Sequence, residues 1–401
     1  MLPEPVAQTL AGKVDLSVRY RRAAGELQQL SSAVIPDGRI DLVVTQKPEQ
    51  PTTFKVRLQN RDSGAILNQL LSGTMARPNA VLGMADLYVE GEQQQGGAWQ
   101  LASVQGQMAG VTVRSGNLMV VPGLPYAVTG SLQLANTNID LWRQTLDTSR
   151  LQQAVAAKLD VSIERFTAAG QQLSDVTGQV SLTPPGGITL TNLTGNWQAG
   201  KVTLNGTGTL APSLSVKGSL DVREAEVVMR GGDRYGVSGI LDLGLRVEGQ
   251  GSDWASLISS LNGDGEFSMD SGTLTGIDFA TFTEALQDRN RTTDIATLLA
   301  RGGESALSSF GGDFVIEEGM ARAPVLRLRT PSASAELKAD MDLSGPRLDA
   351  QARISLREIA RAPEFSLTLT GPLQAIAGSY DVAALGAHLQ RNHAPTQLGH
   401  G

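Results

Sequence analysis

The sequence predicts a mainly β protein, an elongated, twisted antiparallel sheet with a few short helices. Three observations predict it. Apolar and polar residues alternate with period two in one segment after another, which sends them to opposite faces of a pleated strand. Turn residues punctuate these segments: Pro36-Asp37-Gly38, Pro184-Pro185-Gly186-Gly187, Gly231-Gly232-Asp233 and Ser344-Gly345-Pro346. Links this short pair neighbouring strands antiparallel. The composition agrees: 45 glycines without a collagen period, 41% apolar residues and only 4% aromatics imply many turns and an aliphatic interior.

From the N-terminus, GKVDLSVRY, GRIDLVVTQ, TFKVRLQN, AWQLASVQGQM, GVTVRSGNLMV and YAVTGSLQL read as strands of an N-terminal β section over 1–135. Leu141, Leu146, Leu151 and Val155 then predict a helix from Asp140 to about Lys158, a helical interlude over 136–158. A middle β section spans 159–252, and a C-terminal region spans 253–380 with a helical insert at 277–301. In that region Asp253 caps a helix carrying Trp254, Leu257, Ile258 and Leu261, and Asp278 caps one carrying Phe279, Phe282 and Leu286. Ile295, Leu298 and Leu299 mark a third helix, ended by Gly302-Gly303. Residues 381–401 form a last helix, with Val382, Leu385 and Leu389, and a polar tail. The total is roughly twenty strands, which in one ladder would span ~90 Å at ~4.8 Å per strand.

The later strands alternate most cleanly, and their apolar positions are the candidate functional residues. Val202 and Leu204 share one parity, with Gly206 and Gly208 beyond them. Leu214, Val216 and Leu220 continue it, then Leu241, Leu243, Leu245 and Val247, then Leu337, Met341 and Leu343. Ile354 and Leu356 follow, and Leu367 and Leu369 close the series. Such faces either meet one another as an ordinary core or stand apart and line an open groove. The alternation is compatible with both.

Charge and composition exclude several functions. A formal net charge of −7 is wrong for a phosphate-binding surface, so nucleic acid is not an expected partner. The absence of cysteine rules out disulfides, thiolate metal sites and thiol nucleophiles. No run of about 18 apolar residues would span a bilayer as a helix. The opening MLPEPVAQTLAGKVDL lacks the basic and apolar regions of a signal peptide.

Catalytic and metal readings are weak. His388, His393 and His400 all lie near the C-terminus, which suits a solvated helix end and tail better than a metal pair or a triad base. Asn262, Asp264 and Glu266 alternate like a calcium loop, but Phe267 occupies the position that needs glycine. Glu224 with Glu226 and Glu317 with Glu318 suit charged turns and edges better than acid–base pairs. Gly206-x-Gly208 and Gly263-x-Gly265 lack the rest of a phosphate loop. Arg289 and Arg291 read as a solvated link, with lipid head-group contact as the alternative. The expectation is a protein that is not an enzyme and uses no cofactor or metal.

Four runs resemble one known family, in order. They are ANTNIDLWRQ; the stretch from KLDVSIERF to KVTLNGTGTL; LDLGLRVEGQGSDWASLISSLNGDGEFSMDSGTLTGIDF; and SSFGGDFVIEEGMARAPVLRLRTPSASAELKADMDL. Together, from about Ala135 to Ser379, they resemble the C-terminal region of the AsmA-like family, bridge-like lipid-transfer proteins of the bacterial envelope. The N-terminal third matches only in style. The resemblance implies a sheet curled into a taco-like hydrophobic groove that conducts phospholipid between inner and outer membranes and supports outer-membrane assembly. It also implies a periplasmic location beside the inner membrane, attached by an N-terminal anchor this sequence does not show or by a partner. Envelope-assembly proteins are the implied protein partners. The alternatives are a non-catalytic scaffold or spacer and, more remotely, an enzyme acting on envelope glycans or lipids.

Overall fold

The computed structural model describes residues 15–23, 25–35, 37–64, 83–140, 155–210, 213–288, 294–359 and 361–393. Mainly β is correct: the described residues form 21 strands of one sheet. Two compact units divide it, Met1–Trp197 with Thr203–Leu214, and Gln198–Val202 with Ser215–Gly401.

The first unit contains β1 (Asp15–Ala23), β2 (Glu26–Ile35), β3 (Gly38–Gln46), β4 (Thr53–Asn60), β5 (Ala85–Gln93) and β6 (Trp99–Met108). It continues through β7 (Val111–Val121), β8 (Tyr126–Asn138), β9 (Val155–Ala168), β10 (Gln171–Thr183) and β11 (Gly187–Trp197). Each strand pairs with the next in the chain, antiparallel wherever a tight turn joins them. The exception is β8 with β9, which run parallel. A parallel pair needs a crossover, and residues 139–154 supply it. The ends of the expected helical interlude are corrected. Residues 139–140 begin helically, 141–154 lie outside the described residues, and Val155 to Lys158 already belong to β9. Asp140 has a further role: its carboxylate accepts hydrogen bonds from the Ala169 and Gly170 N–H groups in the β9–β10 turn, at 2.8 and 2.9 Å.

Register places apolar side chains opposite one another across this unit. Leu16, Ala33, Ile40, Leu58 and Leu87 form one transverse row. A buried cluster of Leu134, Val161, Ile163 and Val176 fills the same face across β8, β9 and β10. The other face is charged. There the Arg57 guanidinium hydrogen bonds Asp86 and holds its carboxyl below the usual range.

β12 (Gly200–Thr209) and β13 (Leu214–Gly231) contribute residues to both units. The second unit then contains β14 (Tyr235–Gly251), α1 (Trp254–Ser259), β15 (Asn262–Thr275), α2 (Phe279–Gln287) and α3 (Ile295–Ala300). After these come β16 (Glu304–Glu317), β17 (Met320–Arg329), β18 (Ala333–Asp342), β19 (Arg347–Leu356), β20 (Phe365–Pro372), β21 (Ala377–Asp381) and α4 (Ala383–His393). Strands β14 to β21 pair in chain order and are all antiparallel. The helices start where acidic caps predict. Asp253 closes a reciprocal capping pair with Ser256, and the Asp278 carboxylate accepts from Thr281 N–H.

Within this unit the sheet curls far enough for its last strands to reach the β13–β14 hairpin. Gly232 N–H donates to Leu373 O at 3.0 Å, and the Tyr235 hydroxyl lies directly on Gly378, where any side chain would collide with it. Helices α2, α3 and α4 gather at this same end. They bury Phe279, Phe282, Leu286, Ile295, Leu299, Leu385 and Leu389, with Phe282 tilted against Phe365 at 5.8 Å. The buried Ser305 hydroxyl ties the start of α2 to β16, donating to Ile277 O and accepting from Phe279 N–H. Helix α1 links β14 to β15 at the opposite end and exposes Trp254.

Replacing Phe282 with Ala therefore removes a filled contact and is expected to cost about 3–5 kcal/mol. Trp254→Ala is expected to cost under about 1 kcal/mol. Urea denaturation of the two variants checks the contrast; equal midpoints would mean that α2 does not seal this end.

Candidate functional site

The candidate site is built from one face of β14 to β20. Because the registers are in phase, apolar residues of successive strands stand side by side in transverse rows. Nearest the helices, Leu241, Met269, Phe310, Leu328, Ala335, Ile354 and Phe365 form the first row. The second contains Leu243, Phe267, Gly312, Leu326, Leu337, Ala352 and Leu367, and Tyr380 extends it. In the third, Leu245, Gly265 and Phe314 stand on one side of a bulge in β17, and Ala323, Ala339, Ala350 and Leu369 on the other. The fourth, farthest from α2 to α4, contains Val247, Gly263, Ile316, Ala321, Met341 and Leu348.

Burial is uneven along this face. In the first row Met269 is 0% exposed, Ile354 2% and Phe365 3%. In the remaining rows Leu243, Leu245, Val247, Leu337, Met341, Leu348 and Leu369 are half-buried, whereas Leu326, Leu367, Ala323, Ala350, Ala352 and Ile316 are buried. Helices α2 to α4 pack at the first-row end of the face, where Phe282 meets Phe365. The aromatics pack within the rows: Phe267 meets Phe310 edge-on at 5.1 Å, and Phe314 folds over the bare backbone of Gly265. A side chain at Gly265 would strike that ring, so this glycine is a packing requirement and not a phosphate loop.

The opposite face carries the charges. Arg246 faces Asp264 at 3.7 Å, Arg327 faces Glu336 at 3.7 Å, and Lys217 bonds Glu248 at 2.9 Å. These pairs are exposed and contribute little to stability, but they keep that face wet. A cavity of about 330 Å³ there is lined by Arg223, Asp242 and Glu266, a mixture of signs. Among the described residues, no group of three His, Asp or Glu side chains is placed to hold a metal ion.

Each predicted position can now be placed. Val202 is buried in β12, Leu204 half-buried in the same strand, and Leu214, Val216 and Leu220 half-buried in β13. Leu241 is buried, whereas Leu243, Leu245 and Val247 are half-buried. Leu337, Met341 and Leu343 are half-buried, Ile354, Leu356 and Leu367 buried, and Leu369 half-buried. Register unites the β14, β18, β19 and β20 members on one face. The candidate residues left out those on the strands between them. Phe267, Met269, Phe310, Phe314, Leu326 and Leu328 complete the rows, and their period-two signal was present in EFSM and VLRL. The carboxylate pairs fall at irregular backbone: Glu224 has φ 55° and Glu318 φ 49°. His388 is half-buried in α4; Arg289, Arg291 and His400 lie outside the described residues.

No protein-family model, curated protein or solved structure matches the chain. No described helix is long and apolar enough to cross a membrane.

A glutamate tests where the face is closed. Ile354→Glu buries an unpaired charge and is expected to cost about 3–5 kcal/mol. Leu245→Glu can reach water and is expected to cost about 1 kcal/mol. Denaturation midpoints followed by circular dichroism check the difference; equal losses would mean that both positions are sealed.

Proposed function

We propose that this chain is an AsmA-like protein of the bacterial envelope that binds phospholipid on its apolar sheet face and conducts it between inner and outer membranes. The observation that carries the reading is the set of half-buried apolar side chains in the second to fourth rows: Leu243, Leu245 and Val247 on β14, Leu337 and Met341 on β18, Leu348 on β19 and Leu369 on β20. A globular core leaves no such face uncovered without a use for it.

Transfer energies set what a carrier must provide. Moving a two-chain lipid into water exposes about thirty methylenes at ~0.8 kcal/mol each, on the order of 25 kcal/mol. Head-group contacts do not offset a term of that size. A continuous aliphatic surface does, because it replaces the bilayer interior. The dimensions fit. Alternate residues on a strand are ~6.7 Å apart, so the second to fourth rows span ~13 Å, close to the ~15 Å of one leaflet's chains. Register lines up neighbouring strands, so an acyl chain meets similar surface at each step and crosses low barriers. The resemblance of Ala135 to Ser379 to the AsmA-like family supplies the compartment: the periplasm beside the inner membrane, with outer-membrane assembly as the process served.

Mass spectrometry of protein purified in mild detergent is expected to show bound phospholipid, and a Leu245→Glu, Leu337→Glu double variant is expected to remain folded while losing most of it. A wild-type chain that carries none would leave the scaffold reading in its place.

A further inference from the structure

Between Arg114 and Asp140 the chain has no charged residue, although 18% of the whole sequence is charged. This stretch forms the β7–β8 hairpin of the first unit, and its tip, Val121-Pro122-Gly123-Leu124-Pro125-Tyr126, is exposed at every position. Leu124 is 90% exposed, with Val121 at 47% and Tyr126 at 38% beside it. The apolar face of this unit continues into the hairpin. Val120 stands opposite Trp99 on one side and Val128 on the other, and Leu118 stands opposite Leu101. Trp99 in turn meets the buried Phe54 edge-on at 5.0 Å.

Three features fit this tip to the interfacial layer of a bilayer. Backbone N–H groups are costly to bury in lipid, and Pro122 and Pro125 have none. Tyr126 joins an apolar ring to a polar hydroxyl, a combination that settles where hydrocarbon meets head groups. Charge begins at a suitable depth. Strand β6, on one side, has no charged residue. On β9, at the other side, the first is Lys158, opposite Thr129 and three positions behind the Tyr126–Val155 pair. At ~3.3 Å per residue that is ~10 Å, the depth to which interfacial segments bury their apolar side, so the ammonium would lie among head groups.

A protein partner would need more surface. A stable interface takes about 800 Å² and roughly 20–30 residues from each partner. The tip is a single hairpin turn, and the adjoining β5–β6 turn, Gln94-Gln95-Gly96-Gly97, presents amides and bare backbone. A side chain inserted into lipid needs no such surroundings.

We propose that the β7–β8 hairpin tip inserts Leu124, flanked by Val121 and Tyr126, into the surface of a lipid bilayer. The chain then touches a membrane directly, whether or not an anchor or a partner also holds it there. The site lies in the first unit and is independent of phospholipid carried on the face of the second, which the search for bound lipid tests separately.

The sequence has no cysteine, so Leu124→Cys in the full chain takes a single NBD label. When phosphatidylcholine vesicles are added, its emission is expected to rise and shift to the blue, and phospholipid spin-labelled near the head group is expected to quench it. The same label on Gln95→Cys, in the neighbouring polar turn, is expected to show the smaller shift. Unlabelled Leu124→Glu is expected to keep the wild-type circular dichroism and denaturation midpoint, because the position is exposed, and to lose about tenfold or more in partitioning to the vesicles. The proposal is overturned if the label at position 124 shows no blue shift, or if Leu124→Glu leaves partitioning within about twofold of wild type. Dissociation of a dimer by Leu124→Glu, with no response to vesicles, would assign the tip to a second copy of the chain and overturn it as well.

Discussion

Register is the constraint on which the rest depends. A one-residue slip between two strands would turn every apolar side chain of one strand to the charged face. From β14 to β20 that slip does not accumulate: bulges shift the pairing locally, and Leu241, Leu328, Ile354 and Phe365 still share a row across the unit. The same phase holds in the first unit, where Leu16, Ala33, Ile40, Leu58 and Leu87 line up. Two-residue turns and short links enforce it, and the parallel pair of β8 with β9 keeps it.

Once the rows are in phase, function turns on what covers them. Helices α2, α3 and α4 spend their apolar stripes on the first row, where Met269 and Ile354 are sealed. The contact of Tyr235 with Gly378 closes the curl at that end. Beyond it Leu245, Val247, Met341 and Leu348 are half-buried, in rows that also contain the buried Ile316 and Ala350. Along this single face, sealed residues and partly accessible apolar ones are thereby found side by side. The charged face contributes solubility and little energy, since its ion pairs are exposed.

Much of the fold was legible in the sequence. Alternation and turn chemistry announced the antiparallel sheet, and Asp253 and Asp278 announced two helix starts, because both signals are local. The crossover was not legible: Val155 and Lys158 continue a helical spacing of leucines, yet pairing with β8 draws them into β9. The candidate face was legible by parity but not by partner. Leu241, Leu337, Ile354 and Leu367 showed one-sided strands, whereas the rows need the registers of β15, β16 and β17, which no single segment encodes. Exposure was less legible still. Leu241 and Leu245 look alike in ILDLGLRVEG, and only the packing of α2 to α4 separates the sealed position from the open one. The contact of Tyr235 with Gly378 was hidden for a similar reason, since β14 and β21 meet only when the unit curls.

Photocrosslinking at two adjacent residues tests the central claim most directly. Leu337 points to the apolar face and Lys338 to the charged one, so a benzophenone side chain at each samples the two sides of one strand. With radiolabelled phospholipid in the preparation, the account requires lipid adducts at Leu337 and only background at Lys338. Equal labelling at both positions, or none at Leu337, would contradict it.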